Sequence, residues 1–178
     1  MMKTSNSRIA VLTYAALLVL ALLWVGGAVF APLFERAPAR YLYGSESSLM
    51  TSPVYYVYGR VCHQIAERSL HLAGQPLAVC ARCTGIYAGG LAALLLYPFA
   101  RSLRRTDAPR RLWLVVALIL LAIDFAGDYV GIFENTLTTR TITGLIAGAA
   151  GAFYILPGLI AVAGEWFGRS SELKQSDA

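Results

Sequence analysis

Charged residues are scarce in this chain. They make up 14% of its 178 residues, whereas 57% are hydrophobic. In a soluble domain about a quarter of the residues are usually charged. This composition excludes an ordinary soluble protein. Histidine and cysteine are also rare, with two and three copies respectively, so metal or thiol chemistry can draw on very few side chains.

The signatures of common soluble enzymes are missing as well. The sequence has no Gly-x-Ser-x-Gly elbow, no Gly-x-x-x-x-Gly-Lys phosphate loop and no His-Glu-x-x-His motif, so ordinary hydrolases and nucleotide enzymes are not expected. The net charge of +5 does not indicate a nucleic-acid partner, because the basic residues are concentrated in the segment 101–111. A single-strand binder would interleave such residues with stacking aromatics.

Four apolar runs meet or approach the roughly 20 residues that a helix needs to cross the hydrocarbon layer. They cover about residues 9–32, 83–99, 112–132 and 141–163. Helices are expected because an isolated strand leaves its backbone groups unsatisfied in lipid. The sequence therefore predicts an all-α polytopic membrane helical bundle of about four transmembrane helices, which forms a single integral membrane domain over residues 1–178.

The arginine-rich segment 101–111 sets the predicted orientation. Positive residues in short loops stay on the cytoplasmic side, so both termini are expected in the cytoplasm and the long connection 33–82 outside it. The first run is interpreted as a retained anchor, because the apolar part of a signal peptide has only about 7 to 15 residues. We expect a multi-pass protein of the bacterial cytoplasmic (inner) membrane, with the lipid bilayer as its partner and its oligomeric state left open.

All three cysteines fall at the end of this outer connection, Cys62 beside His63 and then Cys80 and Cys83. Four Cys or His ligands suit tetrahedral zinc, and a Cys-x-x-Cys pair is a common half-site. Adjacent residues such as Cys62 and His63 rarely hold one metal together, so His71 is the easier fourth ligand. The sequence predicts a zinc site formed by Cys62, His71, Cys80 and Cys83.

Other uses of the cysteines stay open. An extracytoplasmic compartment favours disulfides, and Arg82 beside Cys83 at a helix N-terminus would lower a thiol pKa. A thiol-disulfide redox protein that uses Cys80 and Cys83, with Cys62 as the resolving thiol, is therefore one alternative. A disulfide that only pins the outer connection to the bundle is another, and a transporter or binding scaffold without chemistry is a third.

Charged residues within the later spans are the second unusual feature. Asp124 and Asp128 are four residues apart and hence on one helix face, and Arg140 lies just before the fourth run. Ionisable residues in a span are costly and usually face the protein interior or a wet cavity. With Arg82 they are expected to form a polar pocket at the outer face, or simply to neutralise one another and hold the bundle together.

If the predicted metal is catalytic, the residues around it have expected roles. A metal-bound water would be the nucleophile, and His63 or Glu67 would carry the proton. The arginines would stabilise an anionic substrate, either lipid-like or a small molecule. The predicted catalytic residues are His63, Glu67, Arg82, Asp124, Asp128 and Arg140.

The segment from about Val61 to Gly151 resembles a bacterial and archaeal family of small polytopic membrane proteins that is defined only as a domain of unknown function. The resemblance rests on Cys-His-Gln, Arg-Ser, Cys-x-Arg-Cys-x-Gly-x-Tyr and Asn-x-x-x-x-Arg-x-x-Thr-Gly, a combination that is hard to reach by chance. It implies a membrane protein and no particular activity. The positions that it marks are Cys62, His63, Gln64, Arg68, Ser69, Cys80, Arg82, Cys83, Gly85, Tyr87, Asp124, Asn135, Arg140, Thr143 and Gly144.

Overall fold

The computed structural model of the protein describes residues 7–34 and 53–176. In chain order its helices are α1 (Ser7–Phe34), α2 (Pro53–Tyr58), α3 (Ala81–Ala100), α4 (Arg111–Tyr129) and α5 (Leu137–Ser176). A 3₁₀ turn (Ala66–Arg68) and the two strands β1 (His71–Leu72) and β2 (Gln75–Pro76) lie between α2 and α3. Helices α1, α3, α4 and α5 are each long and apolar enough to cross a membrane, which confirms the predicted helical membrane bundle.

Two helix ends differ from the predicted spans because single residues determine them. Helix α5 starts at Leu137 rather than near 141, since Thr136 caps it: the Thr139 backbone N–H donates to Thr136 Oγ1 over 3.1 Å. Helix α4 ends at Tyr129 rather than near 132, and Gly131 follows it with a φ of 74°. Glycine adopts this left-handed conformation without steric cost, so the chain can turn there.

The connection predicted over 33–82 contains regular structure. Residues 35–52 lie outside the described residues, and α1 extends through Phe34. Strands β1 and β2 pair antiparallel through the two-residue turn of Ala73 and Gly74, whose φ angles are 52° and 77°. Positive φ at both central residues is the type I′ turn that fits a tight hairpin.

Helices α3 and α5 cross at very close range because glycines line the contact. A Cβ at Gly85 or Gly89 of α3, or at Gly144 or Gly148 of α5, would clash with backbone atoms of the opposite helix. In each helix the two glycines are four residues apart, which is the spacing of close helix contacts in membranes. The crossing fixes the start of α3 against α5, since the atoms nearest a Cβ at Gly144 belong to the backbone of Arg82 and Ile86, in the first two turns of α3.

Helices α1 and α3 are also joined by a hydrogen bond within the spanning region. Pro98 has no N–H to donate to the carbonyl of Leu94, one turn earlier in α3. The Tyr14 hydroxyl of α1 donates to that carbonyl over 3.0 Å. A backbone group that would otherwise be unpaired in hydrocarbon is thereby satisfied.

The arginine-rich loop and the cysteines lie at opposite ends of the bundle. Arg104 Nη2 donates to Ser7 Oγ at the start of α1 over 3.3 Å, and the Tyr154 hydroxyl of α5 donates to Pro109 O over 3.1 Å. Helix α3 has 20 residues and is therefore about 30 Å long, which separates its first turn from this loop by a membrane thickness. Which end faces the cytoplasm stays a prediction.

Candidate metal centre

Three sulfur atoms meet at the start of α3. The Sγ atoms of Cys62, Cys80 and Cys83 all lie within 4.8 Å of one another, and the three residues are free cysteines. Tetrahedral bonds of about 2.3 Å to zinc place the sulfurs of one site about 3.8 Å apart. The spacing is therefore compatible with three thiolate ligands, and this group could hold a metal ion.

The N-terminus of α3 favours a thiolate at Cys80. This residue is the N-cap of the helix and Cys83 lies in its first turn, where backbone N–H groups lack a partner within the helix. The pKa of Cys80 is lowered from its ordinary value, first by side-chain hydrogen bonds from Cys62 and Cys83 and then by the N–H groups of Cys83 and Arg82. Because the thiolate is the form that binds a metal, the helix end prepares Cys80 to be a ligand.

Cys62 reaches this position from the segment after α2. Its side chain is buried, and its sulfur accepts a hydrogen bond from the Cys80 backbone N–H over 3.2 Å. The pKa of Cys62 is raised, chiefly because its thiol donates to the Cys80 sulfur. The thiols of Cys62 and Cys80 therefore titrate together rather than as independent groups.

Gln64 holds the two cysteine-bearing segments together. Its side chain is 5% exposed, and its Nε2 donates to Tyr55 O of α2 over 2.7 Å and to Ala78 O, just before Cys80, over 2.9 Å. Gln64 has a φ of 53°, a left-handed conformation that non-glycine residues adopt only rarely. The sequence marked this residue only within the Cys-His-Gln pattern and assigned it no role.

The segment before Cys80 is also anchored on α1. Pro32 has no N–H, so the carbonyl of Ala28 lacks the donor that a helix normally supplies four residues later, and it accepts the Ala78 backbone N–H over 3.2 Å. Trp24, one turn before Ala28, packs against the buried cluster that contains both Ala28 and Ala78. The cysteine centre is thus supported by α1 as well as by α3.

The histidines lie apart from the sulfur cluster. Among the residues that the structure describes, the group of ligand atoms contains neither His63 nor His71. Both side chains are exposed, His71 on β1 and His63 beside Cys62, and Glu67 in the 3₁₀ turn is exposed too. The ligand role of His71 and the proton-carrier role of His63 or Glu67 stay predictions.

The four charged residues singled out in the sequence form two ion pairs. Arg82 pairs with Asp124 through Nη2 and Nε, the latter 3.1 Å from Asp124 Oδ2, and Arg140 Nη2 lies 2.7 Å from Asp128 Oδ2. Asp124 and Arg140 are each only 6% exposed. Their catalytic roles stay predictions, and the pairing agrees with the simpler interpretation that these charges neutralise one another and join the helices.

Asn135 joins the backbone of Asp124 to the carboxylate of Asp128. Its side-chain Nδ2 donates to Asp124 O over 2.6 Å, and its backbone N–H donates to Asp128 Oδ1 over 3.2 Å. Arg82 lies between Cys80 and Cys83 in the chain, so the same network reaches the first turn of α3. The sequence placed Asn135 in the turn before α5, but only the folded chain shows that it binds both ends of the network.

The fold and the cysteine centre together define a helical membrane protein with a potential metal site at one end of its bundle. The family model described as "Predicted membrane protein (DUF2085)" matches residues 62–154. The chain belongs to this family, so the resemblance seen in the sequence is confirmed. The matched segment contains all three cysteines and both ion pairs.

Two archaeal proteins are similar to this chain. An uncharacterised protein of Methanocaldococcus jannaschii is 43% identical over 104 residues, which cover 58% of this chain and 67% of that protein. An uncharacterised protein of Methanothermobacter thermautotrophicus is 36% identical over 91 residues, which cover 49% of this chain and 78% of that protein. No solved structure matches. These archaeal relatives give no support to the bacterial assignment expected from the sequence.

Proposed function

We propose that this protein holds one zinc ion at the extracytoplasmic end of a transmembrane helix bundle, with Cys62, Cys80 and Cys83 as ligands. The observation that carries the proposal is the convergence of the three sulfur atoms within 4.8 Å. Thiolates prefer soft or borderline metals, and zinc is the usual occupant of tetrahedral sites rich in cysteine. The N–H groups at the start of α3 support the thiolate form that such a site needs.

The arrangement favours a fourth coordination position that is open to an exchangeable ligand. Structural zinc sites have four protein ligands, whereas catalytic sites have three and keep one position open. His71, the fourth ligand expected from the sequence, is exposed on the hairpin. A His71→Ala variant that retains zinc supports the open position, and one that loses zinc assigns the fourth position to His71.

An open position would allow the metal to polarise an oxygen atom of a bound ligand. We propose that the exposed residues His63 and Glu67 exchange protons there. For the paired residues we propose a supporting role instead. Arg82 and Arg140 are already neutralised by Asp124 and Asp128, so they position the ends of α3, α4 and α5 around the centre.

The proposed orientation follows from the separation of the cysteines and the arginine-rich loop. Positive residues in short loops stay in the cytoplasm, so we propose that the cysteine end lies outside it and both termini inside. The test is a cysteine introduced into the segment 101–111 of a variant that lacks Cys62, Cys80 and Cys83. An impermeant thiol reagent should label it only after the cells are opened, and labelling of intact cells would reverse the orientation.

Metal analysis of the purified protein tests the central proposal. Protein prepared without strong chelators should contain about one equivalent of zinc, and Cys80→Ser should lose it while remaining monodisperse and helical. A metal-free protein with a disulfide between Cys80 and Cys83, found by mass spectrometry under native conditions, would refute the zinc site. That outcome would instead support a thiol-disulfide protein.

A further inference from the structure

An apolar groove lies between α1, α3 and α5. Its volume is about 530 Å³, which is within the range of small-molecule sites. Its walls are formed by aliphatic and aromatic side chains and by glycines of the three spanning helices, among them Trp24, Tyr87, Gly90, Leu94 and Gly151. Since these helices are long and apolar enough to cross a membrane, a ligand would enter the groove from hydrocarbon rather than from water.

The wall that α3 contributes continues the helix face of Cys83. Tyr87, Gly90 and Leu94 line the groove and follow Cys83 at intervals of four, three and four residues. Residues with this spacing lie on one side of a helix. The groove therefore starts one turn from a proposed zinc ligand and extends about 12 Å along α3, from Ile86 to Leu94.

Trp24 and Tyr87 form the boundary between the groove and the cysteine centre. Their ring centroids are 5.9 Å apart and the rings are nearly perpendicular, at 87°. Both rings line the groove, and both pack against the buried cluster that includes Cys62. One end of the groove is therefore aromatic and adjacent to the sulfur atoms, while the rest is lined by aliphatic side chains and glycines.

Two glycines keep the groove open instead of bringing helices together. A Cβ at Gly151 would meet no heavy atom within 4 Å, and one at Gly90 would lie 3.7 Å from Gly148 O. Neither glycine is required for the crossing of α3 and α5. Larger side chains at these two positions would occupy the space between the three helices.

We propose that the groove binds the hydrocarbon chain of a single-chain amphipathic lipid whose oxygen-bearing head group reaches the cysteine centre. The proposed position of the hydrocarbon chain rests on the groove alone. Only the proposed position of the head group depends on the proposed zinc site. The groove is apolar along its length and has a polar centre at one end, and an amphipathic lipid likewise has an apolar chain and a polar head group. The surrounding bilayer supplies such molecules. An oxygen atom of the head group would fill the open metal position.

Photolabelling tests the proposed position of the hydrocarbon chain. The probe is an alkyl phosphate with a diazirine in mid-chain, added to protein in mild detergent and mapped by mass spectrometry. Labelled peptides should come from α1, α3 and α5, and Gly151→Leu should reduce labelling at least five-fold. Gly158→Leu is the matched control, because Gly158 lies outside the groove on the same helix and also has no neighbour within 4 Å of its Cβ position.

Equal labelling of the two leucine variants, or labelling confined to α4, overturns the inference. A change of oligomeric state in Gly151→Leu with unchanged labelling also overturns it, because the groove would then be a contact between copies. If Gly151→Leu does not fold, Gly90→Leu fills the groove from α3 and should lose labelling in the same way. Unchanged labelling in a folded Gly90→Leu variant overturns the inference.

A competition experiment tests the proposed contact between the lipid head group and the cysteine centre. The alkyl phosphate should compete for the groove at least ten-fold better than an alkane of equal length, and equal competition overturns the contact with the centre. Zinc content is measured on the same samples, so the two proposals can fail separately. A zinc-containing protein without groove labelling refutes this inference alone, and a metal-free protein with groove-specific labelling refutes only the zinc site.

Discussion

A single methyl group at Gly89 should destabilise the bundle, whereas the same group at its neighbour Gly90 should not. A Cβ at Gly89 would lie 2.8 Å from the backbone C and Cα atoms of Leu145, although carbon atoms prefer separations of about 3.5–4.0 Å. Helices α3 and α5 would have to move apart by about 1 Å to restore that separation. Overpacking of this kind costs about 1–3 kcal/mol.

The expected result at Gly90 has the opposite sign. The nearest atom to a Cβ there would be Gly148 O at 3.7 Å, which is an ordinary contact, and alanine is favoured over glycine in a helix by about 0.8–1.0 kcal/mol. Gly90→Ala should therefore be neutral or slightly stabilising. The free energies of unfolding of Gly89→Ala and Gly90→Ala should differ by about 1–3 kcal/mol, because the gain in helix propensity is common to both variants.

Reversible unfolding in mixed micelles of a mild detergent and dodecyl sulfate, followed by circular dichroism, measures this difference. The two variants carry the same chemical change at consecutive positions of one helix, so effects on detergent binding and helix propensity are closely matched. Equal stability of the two variants would refute the claim that the glycine crossing between α3 and α5 holds the bundle together.

Three further variants test individual contacts. Asp124→Asn leaves the Arg82 guanidinium without its partner and should cost about 3–5 kcal/mol of stability. The double variant Asp124→Asn with Arg82→Gln should recover much of this loss. Additive losses of stability would contradict a direct pair. Gln64→Leu removes the side-chain donor that joins the Tyr55 and Ala78 carbonyls beside the cysteines. It should weaken zinc affinity about ten-fold or more in a chelator competition; unchanged affinity would exclude a positioning role. Tyr14→Phe removes the donor to the Leu94 carbonyl and should cost about 0.6–1.7 kcal/mol in micelle unfolding, and no loss would mean that this bond contributes nothing.

The four spanning helices could be predicted because crossing a membrane requires a long apolar run, and such a run leaves a strong pattern in the sequence. The helix ends could not be predicted in the same way, since they depend on single interactions. The Thr136 cap starts α5 and the turn at Gly131 follows α4. The hairpin between β1 and β2 was missed because two strands of two residues are too short to show alternation.

The cysteine cluster was visible in the sequence because few residues separate its members, whereas its supporting residues were not. Gln64 acts through Tyr55 and Ala78, whose positions relative to it depend on how α2 and the hairpin fold. The spacing of Asp124 and Asp128 placed both on one helix face, yet their separate arginine partners depend on how three helices pack. Sequence spacing indicates which residues share a face, and only packing selects their partners.

The ion pair between Arg82 and Asp124 also bears on how the chain enters the membrane during synthesis. Asp124 lies about 8 Å from the end of α4, and a bare carboxylate in an inserting helix costs up to about 2.5–3.5 kcal/mol, a cost that is reached at the helix centre. Helix α3 is synthesised before α4, so Arg82 is already present when Asp124 enters the membrane. The two helices can therefore leave the translocon as one hairpin with its charge already compensated, and α4 should insert poorly when it is made without α3.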